Sequence, residues 1–151
     1  MKRQCLIQRT WTMPNCKTFK IPYIKQILKD ELNDEFLDPF PFPFKTDALK
    51  LLKNTKTNSI NKIVFDPPYS QRQLKEMYKN IGFSYDMNNS YWANCKDEIA
   101  RITKINGKVL SFGWNSNGIG KTRGFEIKKI WLIAHGSMHN DTIITLEIKV
   151  K

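Results

Sequence analysis

Lys62-Ile63-Val64-Phe65-Asp66-Pro67-Pro68-Tyr69-Ser70-Gln71-Arg72-Gln73-Leu74-Lys75-Glu76-Met77-Tyr78 is the stretch on which the reading of this chain turns. Its opening, Lys62 to Phe65, is short and apolar with β-branched residues at its centre, the pattern of a buried strand. The strand must stop at Asp66-Pro67-Pro68, because proline has no N–H to give to a ladder. Ser70 then stands where a helix N-cap is wanted, and Leu74, Met77 and Tyr78 fall on one face of the helix that follows. A buried strand, a proline-stiffened loop and an amphipathic helix in that order are half of an α/β unit.

Working outward, a second helix over about Ser90 to Thr103 presents Tyr91, Cys95, Ile99 and Ile102 at helical spacing, and Asn106-Gly107 is expected to break it. Lys108 to Trp114, Phe125 to Ala134 and Asp141 to Val150 read as strands, with His135 to Asn140 as a hairpin connection. The last strand alternates, with Ile143, Thr145, Glu147 and Lys149 on one side and Ile144, Leu146, Ile148 and Val150 on the other. Upstream, Tyr23 to Leu32 reads as helix, Glu35 to Asp38 as a short strand and Asp47 to Lys53 as a helical turn or two. The implied fold is a Rossmann-like α/β sandwich, with a mostly parallel sheet and an antiparallel C-terminal hairpin.

At 151 residues the chain is expected to form a single domain, 1–151. No run is long enough to cross a bilayer and the first residues do not form a signal-peptide core, so a soluble, cytoplasmic protein is expected, without a membrane partner. The three cysteines Cys5, Cys16 and Cys95 show no Cys-x-x-Cys spacing, and no metal site is expected from them or from His135 and His139. Lys and Arg number 25 against 14 Asp and Glu, a formal charge of +11, which favours polyanionic partners, nucleic acid first among them. Three glycines and a Gly-Lys-Thr triplet in Asn115 to Gly124 do not make a phosphate loop, since the spacing is wrong and a strand rather than a helix follows. Lys121 and Arg123 in that loop, and Arg72 and Lys75 on the helix after the prolines, are the candidate phosphate contacts.

Asp66-Pro67-Pro68-Tyr69 suits chemistry on an amine. An exocyclic base amine is a poor nucleophile because its lone pair is delocalised into the ring. A carboxylate such as that of Asp66 and a carbonyl such as that of Pro67 would hold both amine hydrogens and free the lone pair. Tyr69 offers a face on which a flipped base can stack. A given tetrapeptide arises by chance in a chain of this length on the order of once in a thousand. The string is therefore treated as a motif.

These residues resemble the catalytic motif of amino-group DNA methyltransferases, and the stretches around them resemble the small adenine-specific enzymes of bacteria, phages and plasmids. The resemblance extends over Trp11 to Asn15 with Thr18-Phe19, Asp38-Pro39-Phe40, Asp47-Ala48-Leu49, Ile63 to Lys75, Trp92 to Arg101 and Val109 to Asp141. It implies methyl transfer from S-adenosylmethionine to adenine N6 in DNA, with Asp66, Pro67, Pro68 and Tyr69 at the target base. It further implies Thr18 and Phe19 against the methionine part of the cofactor. Asp38, Pro39 and Phe40 would open its binding loop, and Asp47 and Ala48 would lie at its adenine. Alternatives from other classes are a non-catalytic relative serving as a nucleic-acid-binding or partner subunit, and an enzyme acting on cytosine N4 or on RNA.

The chain departs from the family between Asp38 and Asp47, where part of the N-terminal cofactor-binding half is missing. The family places a loop, a helix and a second strand with a ribose-binding acid there, but Pro41 to Asp47 are too few for a βαβ crossover. Either a second chain, as in a homodimer, completes the pocket, or Phe40, Phe42 and Phe44 plug it, held extended by Pro39, Pro41 and Pro43. The charge predicts that affinity for a DNA duplex falls steeply as salt rises. Affinity measured against salt concentration checks this, and a flat dependence would make the positive charge mere compositional background.

Overall fold

The structure, a computed structural model, describes residues 4–15, 17–41, 46–80, 82, 90–136 and 138–151. Its strands are β1 (Leu6–Trp11), β2 (Ile60–Phe65), β3 (Thr103–Gly113), β4 (Phe125–Ala134) and β5 (Thr142–Lys149), and its helices are α1 (Pro22–Leu32), α2 (Ala48–Asn54), α3 (Gln71–Asn80) and α4 (Tyr91–Ile102). The sheet order is β1-β4-β5-β3-β2. β1 pairs with β4 and β2 with β3 in parallel, while β5 runs antiparallel to both β3 and β4. Four strands therefore share one direction and the C-terminal strand is inserted against them, the mostly parallel α/β sheet expected from the sequence. No helix among the described residues is long and apolar enough to cross a membrane.

Two apolar layers cover the sheet. One face carries Ile63, Phe65 and Val109 under α2, α3 and α4; the other carries Val64, Leu110 and Leu146 under α1. Helix α1 ends over the sheet at a left-handed Asn33, and three sheet lysines meet its last turn. Lys62 Nζ donates to Leu32 O at 2.9 Å, Lys108 Nζ to Glu31 O at 3.1 Å, and Lys129 Nζ to the Glu31 carboxylate at 2.6 Å. Cations at a helix C-terminus satisfy its orphan carbonyls and favour its dipole.

Several local readings change. Asn106-Gly107 does not end the helix: α4 stops at Ile102, and β3 starts at Thr103 and runs through both residues, with Asn106 at φ 65°. A Cβ on Gly107 would lie 2.7 Å from Thr103 Cγ2, so the strand bends there around a close approach. Glu35 to Asp38 forms no strand of its own, only a single parallel bridge of Leu37 to Ile63 beside β2. The edge strand β1, absent from the sequence reading, is exposed at nearly every residue, so it has no alternation to show.

The alternating face of β5 is the largest difference. β5 is a central strand, and Thr145, Glu147 and Lys149 are buried. The segment from Trp114 to Gly124 crosses this face in place of a helix, with Ile119 buried in the apolar layer. Glu147 receives the Ile119 N–H at 2.6 Å and the Gly120 N–H at 3.0 Å. Gly118 sits at φ +55°, and a Cβ there would strike the Glu147 carboxylate. Gly118→Ala is expected to lower unfolding stability by about 1–3 kcal/mol, measured by urea denaturation, while an equal midpoint would show that the crossing is not held this way.

Candidate active site

Parallel pairing delivers two carboxylates to one rim. Leu37 N donates to Lys62 O at 3.0 Å and Val64 N to Leu37 O at 2.9 Å, which lays the segment before Asp38 alongside β2. Asp38 and Asp66 therefore leave the carboxyl ends of adjacent segments together, where ligands of open α/β sheets bind. A cavity of about 590 Å³ opens there, and its walls include Thr18, Phe19, Asp38, Phe40, Asp66 and Tyr69.

Each wall is fixed locally. Asp38 accepts from Phe40 N at 2.9 Å, a tight turn that Pro39 stiffens. Phe19, in a 3-10 turn over Thr18–Lys20, packs at 5.4 Å on Phe112 and 6.3 Å on Phe36. Ser70 Oγ accepts from Gln73 N at 3.2 Å, and Gln73 Oε1 in return accepts from Tyr69 N at 3.1 Å. That reciprocal cap secures both the start of α3 and the backbone of Tyr69. The Tyr69 ring lies 5.0 Å from Trp114, tilted by 35°.

Burial holds the two acids against their charge. Desolvation, and then the neighbouring Asp38, push Asp66 up to about 7. Desolvation raises Asp38 to about 6, although the Phe40 N–H opposes this. The Tyr69 phenol is also raised, by burial and then by Asp66. Close, poorly hydrated carboxylates cannot all ionise cheaply. A cation placed between them would relieve the strain that neither can relieve alone.

The remaining candidates are distributed differently. Pro67 and Pro68 line the cavity, whereas Pro39 is buried behind it. Phe40 is 4% exposed and lies against Phe65 and Trp92, each at 5.9 Å, while it also lines the cavity, which stays open beside it. Phe42 and Phe44 lie outside the described residues. Asp47 and Ala48 are not part of the cavity lining. Asp47 caps α2, its Oδ1 accepting from Lys50 N at 2.7 Å, and it and Ala48 are bonded to two tyrosines of α3 and α4.

Arg72 and Lys75 are exposed on α3, Arg72 paired with Glu76 at 2.9 Å. Lys121 is exposed, and Arg123 is bonded to Asp97 at 2.6 Å and to Ile119 O at 3.2 Å. His135 bridges strands, with Nδ1 3.1 Å from Thr12 O and Nε2 2.8 Å from Thr142 Oγ1. Among the described residues no group of three or more His, Cys, Asp or Glu could hold a metal ion.

Sequence reasoning missed Lys17, Lys20, Gln73 and Trp114 at this site. Trp114 was readable in principle. It follows the end of β3, whose neighbour is the strand that ends at Asp66, so parallel pairing would have brought it to the same rim.

No family model matches the chain, and no curated protein matches it. Among solved structures it is similar to TTHA0409 of Thermus thermophilus, named as a DNA modification methylase, at 16% identity and a TM-score of 0.47, over 70% of this chain and 52% of that one. It is similar to TrmN from Thermus thermophilus at 14% identity and a TM-score of 0.44, over 71% and 28% of the two chains. YhhF of Escherichia coli, named as a methyltransferase, matches at 9% identity and a TM-score of 0.42, over 94% and 62%. The chain thus spans about half the length of the first and under a third of the second.

Because Asp66 is raised in the fold, stability is fully present below the unfolded value near 3.8 and is lost as pH climbs through about 7. Asp66→Asn removes that cost. It should leave the melting temperature unchanged at or below pH 4 and raise it increasingly up to about pH 7, with the gain level above that. Thermal melts across that range are the check, and no gain at any pH would mean the carboxylate is well solvated.

Proposed function

We propose that the chain methylates an exocyclic amine of a nucleobase, adenine N6 in DNA, using S-adenosylmethionine. The observation that carries this reading is the Asp66 carboxylate at the carboxyl end of β2, beside Asp38 and flanked by the Tyr69–Trp114 aromatic pair. When bound, the cofactor would supply a methyl group made electrophilic by its sulfonium. The two half-buried acids fit such a cation, and Thr18, Phe19 and Asp38 form the wall that would meet its methionine half. Lys17 and Lys20 also line the cavity, and a lysine ammonium suits a carboxylate.

The chain's own residues would do four things. Tyr69, backed by Trp114, would stack the extruded base, which replaces the stacking it loses in the strand. Asp66 and the Pro67 carbonyl would each accept one amine hydrogen and draw the lone pair out of conjugation. Asp66 would then take the proton released as nitrogen gains its methyl. Phe40 and Phe19 would keep water away from the acids. The basic surface, including exposed Arg72, Lys75 and Lys121, would meet phosphates, and Arg123 stands nearby in its bond to Asp97.

A second reading rests on a specific observation. Asp47 and Ala48, the pair expected at the cofactor's adenine, are already hydrogen-bonded within the chain. That favours a non-catalytic, nucleic-acid-binding relative.

Labelled methyl transfer onto unmethylated genomic DNA, with the modified base identified afterwards, decides between the two. Asp66→Ala should abolish transfer with the fold retained, and Trp114→Ala should weaken binding of an unpaired base by about 1–3 kcal/mol. Since Asp66 must be ionised to accept the amine hydrogen, kcat/KM, which reports the unliganded protein, should fall about tenfold per pH unit below about pH 7. Equal turnover by Asp66→Ala and the parent would remove Asp66 from the reaction.

A further inference from the structure

The rim that carries Asp66 continues across the sheet to its far edge, and large apolar side chains stand exposed along it. β1, β4, β3 and β2 all run towards this rim, in the order β1-β4-β5-β3-β2. Trp11 ends β1 with 59% of its surface exposed, and Trp114 follows β3 with 51%. Met13, just after β1, and Met138, in the β4–β5 connection, are exposed between them. The chain itself links Trp11 to the cavity. Thr12 N donates to Ala134 O at 3.0 Å, and Phe19 packs on Phe112 of β3 at 5.4 Å, so the segment between them crosses the ends of β4 and β5 at this rim.

Trp11 is an open ring on an anchored backbone. A Cβ on Gly136 would lie 3.3 Å from Trp11 Nε1, so the indole lies along the start of the β4–β5 connection. His135 ties that connection to the end of β1, its Nδ1 standing 3.1 Å from Thr12 O. The charge around the ring is mainly positive. Lys17 and Lys20 on the crossing segment are exposed, as is Arg9, which shares a face of β1 with Trp11, while Asp141 after the connection is an exposed acid. Against a second copy of a chain with a formal charge of +11, Arg9 would meet like charge; a polyanion suits it better.

Bases in a duplex show a protein their edges, and their faces become available only when they are unpaired. A duplex that extrudes one nucleotide offers one such base, which Tyr69 would take. Neighbouring strands lie about 4.8 Å apart, so the three steps from β3 to β1 set Trp11 about 14 Å from Trp114. A ring at that distance finds a base to stack only where nucleotides beside the target are unpaired as well. We propose that the substrate is an unpaired strand of nucleic acid, laid along this rim with the target base at Tyr69 and a flanking base on Trp11. The inference rests on the reading of Tyr69 as the platform for the target base. Rings that take base faces, with cations between them for the backbone, are the means by which single strands are held.

The test measures binding of one adenine-containing deoxyoligonucleotide, single-stranded and as a duplex with its complement, by fluorescence anisotropy at a fixed salt concentration. Parent, Trp11→Ala and Trp11→Phe are compared, with sedimentation alongside. The parent should bind the single strand about tenfold or more tighter than the duplex. Trp11→Ala should lose about fivefold to a hundredfold of the single-strand affinity and little of the duplex affinity, and Trp11→Phe, which keeps a ring, should retain most of it. A duplex bound as tightly as the single strand overturns the proposal, as does a loss of less than about twofold in Trp11→Ala. Self-association of the parent that Trp11→Ala abolishes overturns it too, since the ring would then belong to an interface between copies. The strand preference of the parent needs no variant, so poor folding of Trp11→Ala would not hide the answer. Methyl transfer does not enter this readout: a single-strand preference in a chain that never methylates would sink the proposed activity and leave the track standing, whereas transfer to duplex alone would keep the activity and sink the track.

Discussion

The buried carboxylate of Glu147 and the buried ammonium of Lys149, two residues apart on one face of β5, fix the arrangement on which the site depends. Glu147 holds the amides of Ile119 and Gly120 in the segment that crosses from β3 to β4. Lys149 Nζ donates to Ala100 O at 2.7 Å and Thr103 O at 2.8 Å, where α4 gives way to β3. A slip of β5 by one residue would turn both charges into the apolar layer of Val64, Leu110 and Phe112, at a cost of several kcal/mol per unpaired ion. The register of β5 is therefore fixed electrostatically, and β3, paired with β5 from Lys108 to Gly113, brings Gly113 and Trp114 to the rim as a consequence.

That device was visible in the sequence and its meaning was not. Glu147 and Lys149 alternate with isoleucine and leucine, as they would on a strand with one wet face, and period alone cannot tell a solvated face from one covered by a crossing segment. The segment that covers them was equally ambiguous, since Asn115 to Gly124 is glycine-rich and polar apart from Ile119. What was legible is what the chain states locally: the Asp66 strand end, Ser70 as a cap, Asp47 as a cap, and the apolar faces of α3 and α4. What was illegible is what needs two distant segments, such as Leu37 beside Ile63, Trp114 against Tyr69, or the tyrosines at Asp47 and Ala48.

At the rim, local chemistry and stability pull apart. Placing Asp38 and Asp66 on adjacent parallel segments raises both acids, so a fold optimised for stability alone would have an amide at one of them. Cys95, also raised by burial, up to about 12, shows the contrast: it lies fully inside the apolar layer as an inert thiol, and no open rim faces it. The acids are desolvated and yet open onto a cavity. That combination marks a place built to receive charge.

The passage from Asp38 to Asp47 is short, and α2 follows it at once. Helix α2 packs against α4 and is held at both ends. At its C-terminus Arg101 donates to Leu52 O and Thr55 O, each at 2.9 Å, and to Thr57 Oγ1 at 2.7 Å, while Glu98 steadies the guanidinium. A planar guanidinium serving several carbonyls at once is hard to release, because each loosened bond leaves a carbonyl unpaired. At its N-terminus the holding groups are two buried phenols, Tyr78 accepting from Ala48 N and Tyr91 donating to Asp47 Oδ2. Tyr91 opens α4 and Arg101 stands one residue before its end, so α4 holds α2 at both of its ends.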